Sequence, residues 1–374
     1  MNAMKSNIHW YSQARAAVVP VVMLVCLLTY WNIFDVKDSS QHQANAASAR
    51  QRKMPKKLIF LHYHKTGHDL SRTLAISGFQ VSFKKFKRTN PAQFVIDACS
   101  PSAESSAPIL VAAAVDFGTQ WNDWWYSHPI QMVHFVRDPV DWTVSAYLYH
   151  VQQPIPKPER VWMRHPQGPS ACHRNMTNIS QKHILSNDTL SLVAELCRNL
   201  TTVSLSWASQ LEVLSEQDGI RLEAARGILG SDHGDLALMM QQLEASRHVP
   251  DVITFRLSDF TDSKQYFQSS VRMLCIFGQD ILHTQNRTIN RCVKDSLKHG
   301  WIDKEKIHSE HITSNQRSTS ELYRLKQLLL DDPVLGQPLR NMQQFLQQVY
   351  DEQRHKIGAS IKPIESTIVL KSPT

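Results

Sequence analysis

Lys65, Thr66 and Gly67 in one stretch, and Arg137 with Ser145 in another, are residue types that can hold an anion from two sides. Lysine supplies a point cation. Glycine admits a positive φ, which lets a turn aim its backbone N–H groups at a bound group, and such donors beside a lysine suit phosphate or sulfate. Arginine adds a planar fork for the same chemistry, and a hydroxyl can hold the group from a second direction. The phosphate-loop pattern GxxxxGK[ST] is not met, because Lys65 and Thr66 come before the glycine.

These residues need elements to position them. Leu58 to Leu61 is an apolar run of strand length, and Leu70, Thr73, Leu74 and Ile76 fall on one helix face, which predicts strand, loop, helix with the turn at His62 to Asp69. Met132 to Val136 repeats the pattern: a buried strand, Arg137 at its carboxyl end, then a helix opened by Asp138 and Pro139. Ser145 lies eight positions after Arg137, about two turns into that helix. Each stretch by itself also fits an ordinary strand-to-helix turn.

Taken together, the two stretches resemble the sulfotransferase superfamily, whose members use 3′-phosphoadenosine 5′-phosphosulfate (PAPS). The 5′-phosphosulfate loop of that family carries a lysine in a K-T/S-G turn after the first strand, matched by Lys65, Thr66 and Gly67. Its 3′-phosphate motif is R-[DN]-P with a serine eight positions after the arginine, matched by Arg137, Asp138, Pro139 and Ser145. The resemblance covers residues 57–76 and 131–150. Many carbohydrate sulfotransferases have glycine, serine or threonine after the turn, where this chain has His68 and Asp69; Asp69 stands well for a helix N-cap. What the resemblance implies is an α/β, P-loop-like three-layer fold with a mainly parallel sheet between helices. It implies PAPS as co-substrate along Lys65 to Asp69, Arg137 and Ser145, and a glycan hydroxyl as acceptor.

Ile109 to Val115 reads as a further strand buried on both faces, with Asp116 at its end. Asp116, His62 and His64 would share a strand-end rim, and sulfuryl transfer calls for a base there. Asp116 and the histidines are candidates for that base, although a cap or structural hydrogen bond fits Asp116 better. Lys84, Lys85, Lys87 and Arg88, interleaved with Phe83 and Phe86, form either a solvated edge or a landing patch for an acidic glycan. Trp121, Trp124, Trp125 and Tyr126 either stack on sugars or pack a core.

Forty-one basic against thirty-three acidic residues leave a net charge of +8, which suits an acidic acceptor, and no nucleic-acid partner is expected. Residues 16–34 are uncharged and mostly apolar, long enough at ~28 Å to span a bilayer. Lys5 and Arg15 before them and Asp35 after them predict a single-pass anchor with residues 1–15 in the cytosol. A polar stem, 35–55, then leads to a lumenal domain at 56–357 and a tail at 358–374, and the sulfotransferase resemblance implies the Golgi membrane. Five sequons, at Asn175, Asn178, Asn187, Asn199 and Asn286, agree with a lumenal domain carrying a glycosylated insertion near 153–200.

An oxidising lumen favours disulfides. Spacing leaves the connectivity open, and the expected pairs are Cys172 with Cys197 and Cys275 with Cys292, with Cys99 left over. No metal-ligand spacing is present, so no metal is expected. Residues 189–248 repeat apolar positions at helical spacing, Val252 to Leu257 reads as a late strand, and helices are expected at 263–277, 318–330 and 338–350. A polar loop is expected at 299–315, and the resemblance implies that His299 to Ile302 touch the adenosine. Two other functions remain open on the sequence: a kinase-like phosphotransferase, and a non-catalytic glycan-binding membrane protein of the same fold.

Overall fold

A computed structural model of the chain describes residues 57–63, 66–80, 109–113, 130–151, 163, 172, 184–202, 204–230, 236–249, 251–300 and 318–365. All belong to one unit, Pro55–Thr374. The expected anchor at 16–34 and the stem lie outside the described residues, among which no helix is long and apolar enough to cross a membrane.

Four strands, β1 (Lys57–His62), β2 (Ile109–Ala113), β3 (Ile130–Val136) and β4 (Val252–Arg256), form a sheet in the order β2-β1-β3-β4. Every pairing is parallel. Strand side chains alternate between faces, so β1, β3 and β4 each feed two cores. Leu58, Phe60, Val133, Phe135, Ile253 and Phe255 pack on one face. Ile59, Leu61, Ile130, Met132, Val136 and Val252 pack on the other. A parallel sheet so covered reads as continuous apolar runs, which is why β1 and β3 are legible in the sequence.

Helices cover both faces. The first face receives α1 (His68–Phe79) through Leu70, Leu74 and Phe79. The opposite face receives α2 (Pro139–His150) through Val140, Trp142 and Val144. Along the chain, α3 (Asn187–Leu200), α4 (Trp207–Val213), α5 (Glu216–Leu229) and α6 (Leu236–Ser246) join α2 on its side. Serines at 186, 206 and 215 cap the first three of these through backbone N–H donors of the opening turn. After β4, α7 (Ser258–Thr261) makes the acidic turn, and α8 (Lys264–Phe277), α9 (Gln279–Thr284) and α10 (Ile289–Gly300) return to the α1 face. The chain then adds α11 (Thr319–Leu330) and α12 (Gly336–Glu365) to the α2 face.

Two disulfides fasten this arrangement, Cys172–Cys197 and Cys275–Cys292, the pairs expected from the sequence. The second ties α8 to α10. Cys99 lies outside the described residues.

Three boundaries differ from expectation. Asp69 is not the cap of α1: that position is Gly67, and the helix starts at His68. His299 and Gly300 close α10 rather than opening a loop; the rest of the expected loop lies outside the described residues. Helix α12 runs through Gly358 to Glu365, so the segment expected as a tail begins inside a helix.

Candidate functional site

The carboxyl ends of β1 and β3 stand side by side on the sheet. These strands are hydrogen-bonded neighbours with Leu61 level with His134, and their carboxyl ends lie ~5 Å apart at strand spacing. The helix after β1 goes to one face and the helix after β3 to the other. That reversal is a topological switch point, where a crevice opens outside the strand ends of an open α/β sheet.

Each residue of the first loop has a local cause. Thr66 donates its N–H to the Tyr63 carbonyl at 3.2 Å, and its hydroxyl both accepts from the Tyr63 N–H at 2.6 Å and contacts the Tyr63 carbonyl at 3.1 Å. Both residues are buried. The turn they close brackets His64 and Lys65 in the sequence; these two lie outside the described residues. Gly67 follows with φ 108°, a left-handed conformation costly for any residue with a Cβ, and a Cβ there would meet Leu257 Cδ1 at 3.2 Å. The N-cap of α1 is Gly67, which has no side chain to cap the helix, and the first N–H groups of a helix have no partner within it, as an anion site requires. His68 and Asp69 form the first turn of α1.

On the second strand, Arg137 is half-buried directly after β3. Burial pushes its guanidinium down from the ordinary value, while the carboxylates of Asp141 and Asp138 push it back up. Asp138 caps α2: its Oδ1 accepts from the N–H of Val140 at 2.9 Å and of Asp141 at 3.1 Å, with Pro139 at the first helical position. Burial raises the Asp138 carboxyl, and Asp141 repels it further. Ser145 is 8% exposed, slightly more than any neighbour from Trp142 to His150. Thr143 on the same helix donates to the Pro139 carbonyl at 2.9 Å, a bond within the helix rather than toward the crevice.

A third strand end joins them. Arg256 is level with Val136, its guanidinium donates to Gln347 at 2.6 Å, and it lies 4.0 Å from the Tyr350 ring centre. Asp259 in the acidic turn accepts from the Arg256 N–H at 2.9 Å, from Tyr350 at 2.9 Å and from Arg354 at 2.8 Å. Residues 343, 347, 350 and 354 form one stripe of α12, which therefore walls the β3 and β4 ends. Sequence reasoning assigned α12 no part here.

It also missed Tyr63 and His134, whose side chains share a 2.7 Å hydrogen bond between β1's loop and β3. The signal was a histidine inside the apolar run Met132 to Val136. His134 is fully buried and desolvation takes it down to about 3, so it is neutral.

Asp116, the basic segment at 84–88 and the Trp121–Tyr126 aromatics lie outside the described residues, as do Asn175 and Asn178. Asn187 starts α3, Asn199 is in its last turn, and Asn286 sits in a turn at φ 53°; all three are exposed. Among the described residues no group of His, Cys, Asp and Glu could hold a metal.

No family model matches the chain, and neither curated proteins nor solved structures yield a match.

Proposed function

We propose that this chain is a PAPS-dependent sulfotransferase of P-loop-like three-layer fold, acting on a glycan hydroxyl in the Golgi lumen and held to the membrane by residues 16–34. One observation carries the reading: the K-T-G turn and the R-D-P turn follow hydrogen-bonded parallel strands whose connections diverge to opposite faces. A nucleotide with phosphates at both ends of its ribose needs two such anion sites on one crevice.

In this reading the turn around Lys65, Thr66, Gly67, His68 and Asp69 takes the 5′-phosphosulfate, and Arg137 with Ser145 takes the 3′-phosphate. The acceptor oxygen attacks sulfur in line, a new S–O bond forms, and the S–O bond to the 5′-phosphate breaks. The leaving product is 3′-phosphoadenosine 5′-phosphate. Lys65 neutralises charge developing on the departing phosphate oxygen, and Asp116 is the candidate to accept the acceptor's proton. Positioning and charge supply most of the acceleration, as in phosphoryl transfer.

The test is incubation of the full chain with radiolabelled PAPS and a panel of acidic and neutral glycans. Label transferred by the native chain and lost in Lys65→Ala and Arg137→Ala is the expected result. Transfer that survives both substitutions rules out the site, and no transfer to any glycan, with no binding of 3′-phosphoadenosine 5′-phosphate, rules out the function.

A further inference from the structure

The loop after β1 is fastened to β3 through a side-chain contact. Tyr63 is the first residue after β1 and the first residue of the turn closed by Thr66. Its ring reaches diagonally across the strand pair to His134, with ring centres 5.3 Å apart and the hydroxyl 2.7 Å from Nε2. Diagonal neighbours on adjacent strands are within reach of aromatic side chains. Both side chains are buried, at 1% and 0% exposure, so water does not compete for the bond. His134 stands three residues before Arg137 on a strand whose every residue is buried.

We infer that Tyr63 and His134 are positioning residues that set the separation between the two anion-binding ends of the crevice. This rests on reading the crevice as a nucleotide site. The Thr66 bonds fix the shape of the turn by themselves, but they are internal to it. Beyond the β1–β3 backbone ladder, whose last pair is Leu61 with His134, the Tyr63–His134 bond ties the turn to the strand carrying Arg137. A ligand gripped at both ends feels that separation, whereas a ligand gripped at one end does not.

The experiment measures dissociation constants of adenosine 3′,5′-bisphosphate and adenosine 5′-monophosphate for the detergent-solubilised full chain and for Tyr63→Phe. The substitution keeps the ring and removes only the hydroxyl. One lost hydrogen bond predicts a rise of about tenfold for the bisphosphate and less than about twofold for the monophosphate. His134→Ala should act like Tyr63→Phe, and His134→Gln, which can again offer a polar group to the phenol, should recover most of the loss. Equal changes for both ligands, or none, overturn the inference while leaving the nucleotide reading intact. Failure of the native chain to bind the bisphosphate overturns both. Should His134→Ala fail to fold, the Tyr63→Phe comparison decides alone.

Discussion

Asp138 and Gln343 lie 205 positions apart in sequence and share a 2.7 Å hydrogen bond, the Gln343 amide donating to Asp138 Oδ2. Since Oδ1 of the same carboxylate caps α2, one side chain starts the helix after β3 and holds the last helix against it. Asp138→Ala should therefore cost about 2 kcal/mol, about half of it from the cap and half from the tie to α12. Asp138→Asn keeps an oxygen for the cap and should cost less than half as much. Urea unfolding of the two variants beside Gln343→Ala checks the division, and equal losses for Ala and Asn would contradict it.

Glu223 sits on α5 between His150, whose Nδ1 is 3.0 Å away, and Arg226, whose terminal nitrogen donates at 2.6 Å. Burial by itself would raise this carboxyl, but the Arg226 charge and then His150 outweigh it and bring it to about 2. A carboxylate with a depressed folded pKa stabilises the fold above the ordinary value of 4.5 and loses that contribution as pH falls toward 2. Glu223→Gln should cost about 3–5 kcal/mol at pH 7, because a buried guanidinium loses its carboxylate. Its unfolding free energy should also fall less steeply than the native protein's between pH 5 and pH 3. Parallel acid slopes would show that Glu223 does not titrate in this way.

Much of this frame is legible in the sequence because its causes are local. The Asp138–Pro139 pair carries both a cap and a first-turn proline, and β1 and β3 are mostly apolar runs of strand length. The misses have different causes. Aspartate is a strong capping residue, yet the loop needs the positive φ that Gly67 supplies, and this moves the cap two positions ahead of Asp69. One glycine costs a helix only ~1 kcal/mol, so Gly358 does not end α12. The Tyr63–His134 bond and the α12 stripe are contacts between distant segments, and no periodicity encodes them.

At Gly78, α1 lies close against α10. A Cβ there would fall 2.5 Å from Ser296 Oγ and 3.4 Å from Cys292 Sγ. Gly78→Ala should gain helix propensity but lose more to overpacking, a net cost of about 1–2 kcal/mol. Ser296 Oγ is buried and makes no hydrogen bond among the described residues, so Ser296→Ala should be close to neutral and should rescue Gly78→Ala. A double-mutant cycle by thermal unfolding reads the coupling, and strict additivity would mean that the hydroxyl is not the obstacle.

In the proposed reading, Arg137 and Ser145 would contribute unequally to holding a 3′-phosphate. The guanidinium offers charge-assisted, forked hydrogen bonds, so Arg137→Ala should weaken adenosine 3′,5′-bisphosphate by about 100-fold, near 3 kcal/mol. The serine hydroxyl offers one neutral donor, and Ser145→Ala should weaken it about five- to tenfold. Both groups would hold the same phosphate, so the double variant should lose less than the product of the two factors. Calorimetric titration gives the three constants, and an unfolding midpoint measured on each sample separates lost binding from lost folding. Native affinity in Ser145→Ala with a loss in Arg137→Ala would leave the arginine as a ligand and move the phosphate away from α2.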